Sequence, residues 1–137
     1  MVTLQAIYDQ STAENPFLIR TQEDMDELVE RVRTASAGHP CPTIVEITNA
    51  ENPFRSPVVN AGIGADRGFV HENWHPQRAT QGDPDATGVV VYDVQGNAAD
   101  IPAIREVPLH VVREVLAAHL AGNGQAPEDS PDLHIVS

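Results

Sequence analysis

The sequence predicts an α+β fold, a mainly antiparallel β-sheet with two helices packed on one face. Three observations lead there. Two stretches, one after Thr21 and one after Pro108, repeat apolar residues at helical spacing. The residues between them break into short strands joined by Gly- and Asn-bearing turns. The helices thus flank a run of hairpin-linked strands rather than alternating with them. A chain of 137 residues fits one domain, 1–137, and is long enough to bury a real core.

Val2 to Tyr8 reads as the first strand, Asp9 to Asn15 as a polar turn, and Pro16 to Ile19 as a short returning strand. Thr21-Gln22-Glu23-Asp24 then fits a capping box. Met25, Leu28, Val29 and Val32 fall at i, i+3, i+4 and i+7, one apolar helical stripe. Acids crowd the start of that helix, and Arg31 and Arg33 stand at its end, in the sense the helix dipole favours. Gly38 to Pro42 breaks it, and Thr43 to Thr48 is a second strand. Pro57 to Ile63 and Gly68 to Glu72 make a hairpin across a Gly-bearing turn. The glycines at 62, 64 and 68 do not make a dinucleotide fingerprint, because Arg67 stands where a Gly is needed and a strand follows instead of a helix. Residues 73–87 read as a long polar loop. The apolar run "GVVVYD" (88–93) suggests a central strand, turned by Gln95-Gly96-Asn97 into a short edge strand at 98–101. Pro108 opens the second helix, Leu109, Val112, Val115, Leu116 and Leu120 face the core, and Gly122 caps it. His119 reads as a helix-end residue near the negative pole of the dipole. Residues 123–131 are expected to be a flexible acidic linker, with a last strand over Leu133 to Val136.

The charge narrows the function. Twenty acids stand against eight basic residues, all Arg, for a net −12. Phosphate contacts need cations, so nucleic-acid binding is not expected. A basic protein partner is, since a strong field steers an oppositely charged molecule. Cys41 is the lone cysteine, which excludes an internal disulfide framework, and it reads as an unpaired structural thiol in the proline-flanked "GHPCP" rather than as a nucleophile paired with His39. No leader or membrane-length apolar run is visible, so the expected compartment is the cytoplasm and no membrane partner is expected.

One motif points to an enzyme. His71-Glu72-Asn73-Trp74-His75 matches H-E-x-x-H, in which two His on one helical face hold zinc and the Glu polarises the bound water. Asp93 or Glu106 is available as an acidic third ligand. The flanks oppose a helix, however: Gly68-Phe69-Val70 reads as a strand, and Pro76 biases His75 away from helical dihedrals. No metal or other cofactor is therefore expected, and a small zinc-dependent hydrolase using His71, Glu72 and His75 is the alternative reading.

The block "ENPFRSPVVNAGIGADRGFVHE", the strand "GVVVYD" and the stretch "DIPAIREVPLHVVREVLAAHLAGNG" resemble the immunity proteins of actinobacterial polymorphic toxin systems, in particular the family often encoded beside deaminase toxins. The resemblance covers about residues 16–124 as an ordered set: first helix, Gly-rich hairpin, Pro-started helix, Gly. The tail "QAPEDSPDLHIVS" departs from the family's usual ending, a strand that contains Trp. The resemblance implies no catalysis and tight binding to a cognate toxin. The charge pattern agrees, because an acidic protein can cover the basic groove of a toxin that acts on nucleic acid. From Ala79 to Ile104 there is no basic residue. The single Trp and a run of acids lie in and near this stretch, so the expected toxin-binding residues are Glu72, Trp74, Asp83, Asp85 and Asp93.

Overall fold

A computed structural model describes residues 2–136; Met1 and Ser137, the ends of the expected domain, lie outside the described residues. The fold is α+β. Its main sheet contains β1 (Leu4–Ile7), β2 (Phe17–Ile19), β3 (Thr43–Asn49), β4 (Val58–Ile63), β5 (Arg67–Asn73), β6 (Arg78–Thr80) and β10 (Leu133–Ile135). They lie in the order β10-β6-β5-β4-β3-β1-β2, and every neighbouring pair is antiparallel. The short β9 (Val107–Pro108) joins β5 at its Arg67–Gly68 end. Helices α2 (Gln22–Ala37) and α3 (Leu109–Ala121) pack side by side on one face, tied by Arg113 Nη2 donating to Glu30 Oε1 at 2.6 Å.

Local chemistry accounts for the elements. The capping box forms, with Thr21 Oγ1 accepting from the Asp24 amide and Asp24 Oδ2 accepting from the Thr21 amide. The expected helix stripe Met25, Leu28, Val29, Val32 is buried against Val45, Ile47, Val59, Ala61, Ile63 and Val70, which alternate onto the same face of β3, β4 and β5. Ser36 fastens the end of α2 to the sheet by donating to the Ile63 carbonyl and accepting from the Thr43 amide. Where a polar turn was expected, Gln10–Glu14 forms a short helix, α1; Asp9 caps it by accepting from the Thr12 amide at 2.8 Å.

The opposite face carries a second, smaller core. Strands β7 (Val89–Val94) and β8 (Asn97–Pro102) form a hairpin that touches the main sheet through one parallel pair, Asp93 with Thr43. Its turn, Gln95-Gly96, has positive φ at both residues, the two-residue geometry that suits the twist of a hairpin. Tyr92 is the anchor. Its ring meets Phe69 edge to face at 5.0 Å, and its hydroxyl donates to Glu106 Oε2 at 2.7 Å. Burial, followed by this bond, raises the Tyr92 phenol far above its ordinary value. Gly62 makes room for the pair; a methyl group there would collide with both rings. Val90, Val94, Ala99 and Ile101 pack around this cluster.

Two further expectations need correction. The 88–93 run is not a central strand: Val89 is 57% exposed and Val91 40%, because β7 branches off β3 through a single residue pair and only its alternate residues turn inward. The stretch 73–87 is not all loop. Arg78 to Thr80 pairs with β5 and is buried throughout. The last strand forms as expected, at Leu133–Ile135.

Candidate functional site

The expected contact residues separate into three places. Glu72 shares the helix-facing side of β5 with Val70 and is 1% exposed. Its Oε1 accepts from Arg78 Nε at 3.0 Å and Nη2 at 2.6 Å, and its Oε2 accepts from the Ala126 amide at 3.2 Å. Arg78 also donates from Nη2 to the Ala126 carbonyl and from Nη1 to the Pro127 carbonyl. Glu72, expected at the surface beside Trp74, instead has its carboxylate buried on the helix side of the sheet with both oxygens accepting bonds. The same bonds pin part of the stretch expected to be a flexible linker, and Ala126 is itself buried.

His119 completes this buried cluster. It lies in the last turn of α3, at the expected helix end, but on the apolar stripe, one turn beyond Val115 and Leu116, and is buried. Its Nε2 is 3.0 Å from Glu72 Oε2 but outside hydrogen-bond geometry, and among the described residues neither ring nitrogen has a hydrogen-bond partner. Burial pushes the imidazole down to about 4, against the upward pull of Glu72, and Arg78 adds to the fall. Arg78 and His119 are residues that sequence reading missed. A signal existed for His119 and for the burial of Arg78's partner, Glu72. Period-two alternation from Val70 puts Glu72 inside, and spacing of three and four from Leu116 and Val115 does the same for His119.

Trp74 lies just past β5, half-buried, with its ring tilted on His75 at 5.5 Å. It forms one wall of a cleft of about 790 Å³ that reaches Leu133, Glu128 and Ile135, the last 72% exposed. HENWH spans strand and bend, with no helical turn. His71 and Glu72 project from opposite faces of β5, and His71 Nε2 bonds Gln77 at 2.9 Å. Among the described residues, no three His, Cys, Asp or Glu side chains are grouped to hold a metal.

Asp83, Asp85 and Asp93 lie elsewhere. The first two are exposed in the loop that feeds β7, where Asp83 Oδ1 accepts from the Asp85 amide. Asp93 is half-buried on β7 and holds the hairpin turn by accepting from the Gly96 amide at 3.1 Å. Register places Asp93 beside Thr43, Ile63 and Gly68, while Trp74 follows Asn73 at the other end of β5. Six residues of strand separate the two levels, roughly 20 Å at the usual rise. The structure therefore does not bring Trp74 and Asp93 into one site.

The acids also differ in what compensates them. On α2, Asp24 is spent on the cap, Glu27 pairs with Arg31, and Glu30 pairs with Arg33 and Arg113. Among the described residues, no ion pair reaches Asp83, Asp85, Asp93 or Asp100. The arginines thus pair part of the α2 acids, while the stretch from Ala79 to Ile104, which holds the β7–β8 hairpin, contains no basic residue.

A family model described as Immunity protein Imm1 matches residues 13–137. No curated protein matches the chain significantly. No helix among the described residues is long and apolar enough to cross a membrane.

Proposed function

The chain belongs to the Imm1 immunity-protein family, and on that premise we propose that it binds a cognate toxin and neutralises it by covering a basic active-site groove, with residues 1–137 acting as one immunity domain. The observation that carries the mechanism is the uncompensated negative charge, −12 in total and unpaired at Asp83, Asp85, Asp93 and Asp100. A toxin acting on nucleic acid needs cations along its substrate path. A deaminase must also admit its base into a pocket, which a bound protein blocks. A nucleic-acid deaminase is accordingly the proposed toxin class, and the cytoplasm the proposed place of action. Five of the eight arginines, Arg31, Arg33, Arg67, Arg78 and Arg113, lie against a carboxylate, which argues against a phosphate-binding stripe.

The test is inhibition. The co-encoded toxin domain is assayed with and without a molar excess of this chain, and the pair is co-expressed. Loss of toxin activity in the tube, together with restored growth, is the expected result. A toxin that stays fully active beside excess chain contradicts occlusion.

A further inference from the structure

We propose that the outward face of the β7–β8 hairpin is the surface that docks on the toxin, fitting a basic patch around a shallow apolar centre. The partner is taken from the immunity reading above; the place comes from the chain itself.

The pairing phase of the hairpin sets which side chains face out. A two-residue turn makes Val94 and Asn97 a hydrogen-bonded pair, and pairs then alternate along the ladder. Val90, Val94, Ala99 and Ile101 turn to the second core with Tyr92. Val89 therefore stands across from Pro102, Val91 across from Asp100, and Asp93 across from Ala98, all on the other face. The result is a small apolar strip, Val89, Val91 and Pro102, bordered by Asp93 and Asp100 and by Asp83 and Asp85 in the feeding loop.

Folding does not account for this strip. The apolar run 89–92 contains two residues the core uses, Val90 and Tyr92, and two it leaves in solvent. The face is also held in place before any partner arrives. Tyr92 is clamped between Phe69 and Glu106, and the Asp93 amide donates to the Pro42 carbonyl at 2.8 Å. A pre-ordered surface loses less entropy on binding. Charge complementarity selects the occupant. Carboxylates without internal cations raise the encounter rate with a basic surface and fix its orientation. Contact is by the face and not by strand addition at β8, because Asp100 and Pro102 blunt that edge. The Trp74 cleft differs: Arg78 lies in its lining and already matches the carboxylate at its floor, Glu72, which leaves Glu128 as the acid there without an ion pair among the described residues.

The test measures association and dissociation rates with the co-encoded toxin domain, carrying a disabling active-site substitution. Val91→Arg is expected to weaken binding by about 100-fold or more, mainly through faster dissociation. The combined Asp83→Asn, Asp85→Asn, Asp100→Asn variant is expected to slow association about tenfold at low salt, with the difference fading near about 0.5 M salt. All four side chains point to solvent, so thermal melting should match the parent; the triple variant remains decisive if Val91→Arg folds poorly. Parent-like rates in the triple variant, with binding lost in Trp74→Ala or on charge reversal at Glu23, Asp26 and Glu27, overturn the hairpin assignment and leave the immunity reading intact. A parent chain that neither binds nor protects overturns the immunity reading, and the docking proposal with it.

Discussion

At one end of the sheet, on the helix side, a carboxylate is buried with every oxygen matched. On the opposite face, four carboxylates stand around a hairpin, and no ion pair among the described residues reaches them. Glu72 and Asp100 carry the same charge, and environment alone separates their roles. Glu72 accepts from Arg78 and the Ala126 amide, and so ties β5, β6 and the segment after α3 into one unit. Asp100 makes no bond that the fold needs. A buried charge is tolerable only when paired and hydrogen-bonded, which makes Glu72 a structural residue. An unpaired surface charge adds little to stability, which leaves it free to serve recognition. Acidity as such therefore does not mark a residue for recognition; the environment of each carboxylate decides whether the fold uses it.

The contrast breaks first at Arg78. Arg78→Met strands the Glu72 carboxylate and frees the Ala126 and Pro127 carbonyls, and is expected to cost about 3–5 kcal/mol in urea unfolding. The double variant Glu72→Leu, Arg78→Met should recover much of that loss, because no buried charge is left unpaired. Equal stability of the single and double variants would show that the cost comes from packing instead.

A smaller effect should appear with pH at His119. Its folded value, about 4, lies below its ordinary 6.5, so between those limits the unfolded chain binds more protons. This contribution is complete above pH 6.5 and is lost as pH falls toward 4, a loss of up to a few kcal/mol. His119→Gln removes the titrating group, and its stability profile over that window should be flatter than the parent's by about one proton. Parallel profiles would mean that His119 is not held neutral inside.

Much of the fold was legible because local patterns carried it. The capping box at Thr21, the stripe from Met25 to Val32 and the hairpin from Val58 to Asn73 each follow from spacing within one segment. The contact set was less legible, since it depends on which face of which strand each residue meets. Glu72 looks like a surface acid beside Trp74 until β6 supplies Arg78 and α3 supplies His119, from 6 and 47 residues away. The valines of 89–91 read as core because an apolar run gives no sign that only one of its two faces is covered. Trp74 and Asp93 looked like neighbours, 19 residues apart in the chain, but strand register puts them at opposite ends of the sheet.

The most direct measurement is amide hydrogen exchange on the chain alone and on its complex with the co-encoded toxin domain. The account predicts new protection in 88–102 and in the loop around Asp83 and Asp85, with exchange at 74–77 and 133–136 unchanged. Protection that falls instead on the Trp74 cleft, with the hairpin exchanging as in the free chain, would contradict it.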